Sequence, residues 1–133
     1  MSPEEKNNSG SDVSALRGVC VLVVEDAWHV ANALKSALEH LGMQVLGPAA
    51  TSDEARRLVA GQKPRLALVD VNLKHEMAGD LIDELHAQGV HVVVVSGYAA
   101  PPVAMEKAVA FLQKPFSGKE LVSAMRAVVA RLD

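Results

Sequence analysis

From Val19 onward the chain alternates between two patterns. Short, mostly apolar runs (Val19–Val24, Met43–Leu46, Leu66–Val69, His91–Val95 and Val109–Leu112) are separated by stretches in which apolar residues recur every three or four positions. Continuous runs of that length suit strands buried on both faces, and the slower recurrence suits helices packed against them. Val30, Leu34, Ala37, Leu38 and Leu41 form the first helical stripe, closed by Gly42. Thr51 and Glu54 have capping-box spacing and open a second helix that ends at Gly61. Leu81, Ile82 and Leu85 mark a third helix, stopped by Gly89, and a fourth is expected around Val103–Lys107 after Pro101-Pro102. Ser117 and Glu120 form another capping pair, which starts a last helix with Leu121, Val122, Met125, Val128, Val129 and Leu132 turned inward. Strict alternation of these elements predicts an α/β fold, a doubly wound five-stranded parallel sheet with five helices. No internal repeat interrupts it.

Composition sharpens this picture at a few points. The 133 residues make one domain, and a domain of this length buries roughly two thirds of its unfolded surface. Trp28, Tyr98, Phe111 and Phe116 are its only aromatic residues, so the core must be built from Val, Leu and Ala. Residues 1–17 are polar, rich in Ser, Asn and Gly, and without period; they read as a disordered leader to a folded domain over 18–133. Thirteen basic against sixteen acidic residues argue against a nucleic-acid footprint. No apolar run approaches the roughly 20 residues that span a bilayer, and the N-terminus lacks a signal peptide's apolar stretch. The single Cys20 excludes an internal disulfide and any paired-cysteine zinc or redox motif. A cytoplasmic location is the expectation.

The candidate chemistry lies where the apolar runs end, because ligands of an open parallel sheet bind outside the carboxyl ends of its strands. The first run ends in Glu25-Asp26, the third in Asp70, the fourth in Ser96 and the fifth in Lys114-Pro115, whereas the second ends in Gly47-Pro48. Three carboxylates brought together repel one another unless a cation sits among them, and oxygen ligands in that number suit Mg²⁺. An aspartate in such a site can attack phosphorus, with a hydroxyl and an ammonium stabilising the transferring group. Each residue alone has a plainer role: Asp26 could cap the following helix, Ser96 could be a turn residue, and Lys114 could be a solvated charge. Their conjunction on one edge favours metal-assisted phosphoryl transfer onto Asp70.

These same residues carry a family resemblance. Val23-Val24-Glu25-Asp26, Leu68-Val69-Asp70, Val95-Ser96-Gly97 and Leu112-Gln113-Lys114-Pro115-Phe116, in this order and spacing, resemble the response-regulator receiver domains of two-component signalling, over about residues 19–133. The resemblance implies the flavodoxin-like receiver fold with Asp70 as phosphoacceptor. It also implies Mg²⁺ held by Glu25, Asp26, Asp70 and the Asn72 backbone carbonyl, with Ser96 and Lys114 on the phosphoryl group. Phe111 would be the switch aromatic partnering Ser96, and the Lys114–Pro115 bond would be cis. Asn72 and Tyr98, each two residues beyond a site residue, would tune dephosphorylation. Two departures stand out. Receivers usually carry Pro four and Gly eight residues after the phosphoacceptor, where this chain has Lys74 and Ala78, so the Asn72–Gly79 loop looks remodelled. Ser96 replaces the commoner Thr. Ser96-Gly97-Tyr98 together with Leu112–Phe116 is similar to a subgroup of stand-alone receivers whose fourth strand ends Phe-Ala-Thr-Gly-Tyr and whose kinases are often atypical, although this chain has Val94-Val95-Ser96.

The resemblance implies a single-domain regulator, not an enzyme, phosphorylated by a histidine kinase and acting through an unknown downstream protein or phosphotransfer partner. The last helix, with Ala124, Ala127 and Ala130 beside its apolar stripe, could also serve a homodimer. The competing enzyme is an aspartate-nucleophile phosphatase of the haloacid-dehalogenase type. There the nucleophile precedes the acidic pair and a second Asp follows two residues later; here the acidic pair comes first and Asn72 fills that place. A flavodoxin-like mononucleotide site is disfavoured because Glu25-Asp26 would repel its phosphate. Asp70-x-Asn72 does not continue as a calcium loop, since His75 and Leu81 occupy the positions that need Gly and Glu.

Overall fold

The computed structural model describes residues 14–73, 76–97 and 108–132. Its elements are β1 (Cys20–Val24), α1 (Trp28–His40), β2 (Gln44–Ala49), α2 (Ser52–Gly61), β3 (Leu66–Asp70), β4 (Asn72–Leu73), β5 (Glu76–Met77), α3 (Gly79–Ala87), β6 (His91–Ser96), β7 (Ala108–Gln113) and α4 (Gly118–Val129). Five strands form one parallel sheet in the order β2-β1-β3-β6-β7. The expected sheet is therefore present. Among the described residues four α-helices flank it; the helix expected around Val103–Lys107 lies outside them.

Burial explains the continuous apolar runs. Every residue of β1 and β3 is buried, so successive side chains enter opposite layers instead of alternating between core and water. Val21, Val23, Leu66 and Leu68 pack with Leu34 and Leu38 of α1 and with Leu121, Met125 and Val128 of α4. Leu22, Val24, Ala67 and Val69 pack on the other side with Ala55 of α2 and Leu81, Ile82 and Leu85 of α3. Burying the Leu and Val side chains contributes roughly 1.5–3 kcal/mol each, which lets a core almost free of aromatic residues hold the sheet.

Local signals act as the residue types dictate. Gly42 and Gly89, with φ of +90° and +85°, follow α1 and α3 and close them with paired backbone bonds (Met43 N–H to Leu38 and Gly42 N–H to Glu39; Val90 N–H to Leu85 and Gly89 N–H to His86). Ser117 and Glu120 form the reciprocal capping box at α4. At α2, Thr51 accepts the Glu54 N–H as expected, but the Glu54 carboxylate reaches past Thr51 to the Ala50 N–H at 2.7 Å.

Three differences from the sequence expectation bear on the site. The folded body begins before residue 18: Ser14–Leu16 form a 3₁₀ turn, and Leu16 is fully buried against the α1/α4 layer, so residues 14–17 of the expected leader belong to the folded body. β2 runs through Gly47-Pro48 to Ala49; a side chain on Gly47 (φ +100°) would meet the Ala49 nitrogen at 2.8 Å. The β1–β2 register shifts between Leu22 and Val24, so that the Ala49 carbonyl accepts the Glu25 N–H at 2.9 Å. Finally, the remodelled Asn72–Gly79 loop contains an antiparallel hairpin, β4 paired with β5. Both Gly47–Pro48 and, as the resemblance implied, Lys114–Pro115 are cis.

Candidate functional site

The sheet order places β2 on one side of β1 and β3, β6 and β7 on the other, so the chain reverses direction across the carboxyl ends of β1 and β3. Glu25-Asp26 leaves β1 there and Asp70 ends β3. Asp70 pairs with Val95, which places Ser96 one step beyond it at the end of β6. Ser96 pairs with Gln113, and its carbonyl takes the Lys114 N–H at 2.7 Å, pinning Lys114 to the same edge. Four strand ends thus converge because the strands are parallel and in register.

The side chains confirm close contact. Oxygen atoms of Glu25, Asp26 and Asp70 lie within 4.8 Å of one another. Lys114 Nζ donates to Glu25 Oε1 at 2.8 Å and to Asp70 Oδ2 at 3.0 Å. Glu25 Oε2 accepts the Ala27 N–H at 3.0 Å. Glu25, Asp70 and Ser96 are buried and Asp26 is half-buried. α1 starts from Ala27, whose own side chain makes no cap bond.

Electrostatics follow from this crowding. Burial pushes the Glu25 carboxyl above its ordinary range, helped by the neighbouring Asp70 charge and opposed by the bonds from Lys114 and Ala27. Burial works against the Lys114 ammonium too, but its bonds to Glu25 and Asp70 and their charges outweigh it, holding Lys114 above the ordinary lysine value. Three carboxylates share one ammonium, an excess of acidic groups that a divalent cation would offset. The donor set is all oxygen, as Mg²⁺ requires.

The hairpin bears on the remaining expected ligand. The Ala78 N–H bonds to the Val71 carbonyl at 3.2 Å, and antiparallel pairs alternate between hydrogen-bonded and non-hydrogen-bonded. The next pair, Asn72 with Met77, is then the kind that exchanges no backbone bonds, so the hairpin leaves the Asn72 carbonyl to other partners. Phe111 lies opposite Val94 in the β6–β7 pairing and is partly buried against the α2/α3 layer. Tyr98 lies outside the described residues. Sequence reasoning missed the Glu25 contacts to Ala27 and Lys114. The only signal for them was Glu, with one methylene more than Asp, in the first position of the acidic pair.

Comparison with known proteins agrees with the fold. A family model described as "Response regulator receiver domain" matches residues 21–126. The transcriptional regulatory protein PdtaR of Mycobacterium tuberculosis is 28% identical over 116 residues, covering 84% of this chain and 57% of that protein. The chain thus spans little more than half the length of the curated relatives it matches. A CheY-like receiver domain from Methanospirillum hungatei superposes with a TM-score of 0.78 at 24% identity, covering 85% of this chain and 94% of that one. A response regulator from Burkholderia pseudomallei, solved with a phosphorylated aspartic acid and a calcium ion, is 26% identical with a TM-score of 0.74, over 84% of this chain and 69% of that one. With that match spanning most of the fold and every strand-end residue of the site, the chain belongs to the response-regulator receiver domains of two-component systems.

Proposed function

We propose that this receiver accepts a phosphoryl group on Asp70 from a phosphorylated histidine kinase, and that it signals or relays through partner proteins. The observation that carries the proposal is the Lys114 ammonium 3.0 Å from Asp70 Oδ2, beside two further carboxylates with oxygens in mutual reach. An Asp70 oxygen forms the new bond to phosphorus, the bond from phosphorus to the donor's imidazole nitrogen breaks, and its electron pair leaves with the imidazole. Mg²⁺, held by Glu25, Asp26, Asp70 and the Asn72 backbone carbonyl, would supply positive charge against the carboxylates and the phosphoryl oxygens. Lys114 stabilises negative charge on the transferring group, and the Ser96 hydroxyl receives it once transferred. Drawing Ser96 toward the phosphoryl group changes the space beside Phe111, which couples the site to the β7 surface. No helix among the described residues is long and apolar enough to cross a membrane.

Incubation with acetyl phosphate and Mg²⁺ tests the proposal. Wild type gains one acid-labile phosphoryl group and Asp70→Asn gains none while keeping its circular dichroism spectrum. Labelling of the Asn variant at the wild-type rate defeats the assignment, and turnover of added phosphomonoesters would favour the phosphatase chemistry instead.

A further inference from the structure

The amino edge of the sheet, opposite the acidic cluster, carries a cavity of its own. About 210 Å³ in volume, it is lined by His86 in the last turn of α3, Gly89, Val90, His91 at the start of β6 and Val109 of β7. His86 and Gly89 are exposed, so it opens to solvent. His91 and Ser96 stand at opposite ends of β6, roughly 16 Å apart at about 3.3 Å per residue, which separates this cavity from the acidic site. It has room for several waters, at about 30 Å³ each, but falls short of the roughly 300–1,000 Å³ that larger organic ligands occupy.

The charge around it has one sign. None of the lining residues is acidic. The Lys63 ammonium lies against Gly89, 3.5 Å from where a Cβ on that glycine would stand, and bonds to no described residue. Arg131 Nη1 donates to the Val109 carbonyl at 3.4 Å, which brings a second fixed cation to the β7 side.

Two histidines on one cavity would suit a transition metal, but the His91 ring argues against one. Its Nδ1 is buried and hydrogen-bonded to no described residue. A histidine that ligates a metal through one ring nitrogen donates the N–H of the other to an acceptor, and Nδ1 has none. A buried N–H without an acceptor is costly, so the neutral ring carries its proton on the accessible Nε2, which is then a donor and not a ligand. The described residues also supply no third ligand: Glu25, Asp26 and Asp70 are their only group of three at metal-binding spacing. Lys63 and Arg131 would repel a metal ion as well.

We propose that this cavity binds a small phosphate group, either inorganic phosphate or the end of a small phosphate monoester. Lys63, His86 and His91 approach it from the α2–β3 connection, from α3 and from β6. Donors from three directions suit a tetrahedral oxyanion, which accepts on every side, better than a planar carboxylate. The ammonium adds a charge-assisted bond.

Backbone amide NMR of the whole chain tests the proposal, in EDTA so that the acidic cluster holds no Mg²⁺. Inorganic phosphate is expected to shift the amides of His86–Val92 and Val109 saturably, whereas NaCl of equal ionic strength is not. Glycerol 3-phosphate separates the two sources: binding tighter than inorganic phosphate identifies a monoester, weaker binding identifies the free anion, and either supports the site. Lys63→Met and His86→Ala, both at exposed positions, should each weaken phosphate binding about tenfold, the share of one such hydrogen bond. Asp70→Asn should leave it unchanged. Undiminished affinity in Lys63→Met, loss of the shifts in Asp70→Asn, or equally tight binding of malonate overturns the proposal. The His91 ring supplies a second readout. Its nitrogen shifts should report the proton on Nε2; coordination of Zn²⁺ through that nitrogen in EDTA-free buffer would make the cavity a metal site and also overturn the proposal.

Discussion

Replacing Lys114 with Met removes the one positive charge that bridges two buried carboxylates. At 2.8 and 3.0 Å and an effective dielectric constant near 20, each attraction is worth on the order of 5–6 kcal/mol before desolvation is counted. Breaking a buried pair from one side usually costs about 3–5 kcal/mol net, because the surviving charge is left uncompensated. The Lys114 side chain is 29% exposed, so water can replace part of its solvation of Glu25 and Asp70, which lowers the expected loss to about 2–3 kcal/mol. That is a large share of a total stability of roughly 5–15 kcal/mol. In urea with EDTA present, a slope of about 1–3 kcal/mol per M places the midpoint roughly 0.7–3 M lower than wild type. Mg²⁺ neutralises the same carboxylates, so saturating Mg²⁺ should close at least half the gap. The pH dependence has a definite sign. Glu25 is already raised by burial, and losing Lys114 raises it further, so the folded state favours its protonated form. Stability from that source is complete below the ordinary glutamate value of about 4.3 and is lost as pH rises through the folded value. The variant's deficit should therefore grow from acid toward neutral pH. A deficit identical with and without Mg²⁺, or a variant as stable as wild type in EDTA at neutral pH, would refute the reasoning.

Trp28, 75% exposed in the first turn of α1 just beyond the Asp26 loop, should report the cation. Mg²⁺ is expected to change its fluorescence saturably in wild type but not in Asp26→Asn, and NaCl of equal ionic strength should not reproduce the change; a response that NaCl matches would remove Asp26 from the cation site. Ser117→Ala removes the hydroxyl that accepts the Glu120 N–H at 3.0 Å and should cost about 1 kcal/mol in chemical denaturation, without changing labelling by acetyl phosphate. A loss below the error of the measurement would show that solvent caps α4 equally well. If the Tyr98 ring shields the phosphoryl group from water, Tyr98→Ala should shorten the lifetime of phosphorylated Asp70, and an unchanged or longer lifetime would rule that role out.

The continuous runs Val19–Val24 and Leu66–Val69 were enough to predict buried parallel strands, because only a strand covered on both faces can be apolar at every position. The strand-end residues Glu25, Asp26, Asp70, Ser96 and Lys114 followed from the same pattern, since parallel strands in one sheet must deliver their carboxyl ends to one edge. Ser117 and Glu120 were legible because a capping box is a local interaction completed within one turn. Other features depended on partners distant in the chain. Leu16 belongs to the core only because the fold brings it into the layer formed by α1 and α4, and a lone Leu in a polar stretch carries no period. The extension of β2 through Gly47-Pro48 hides behind two residues that ordinarily end strands, and it exists because Ala49 finds Val24 and Glu25 across the shifted register. The division of Lys114 between Glu25 and Asp70 joins residues 89 and 44 positions apart, and tertiary structure alone decided it. Periodicity states which face of an element is buried, whereas the pairing of charges depends on which charged side-chain atoms the fold brings within about 3 Å.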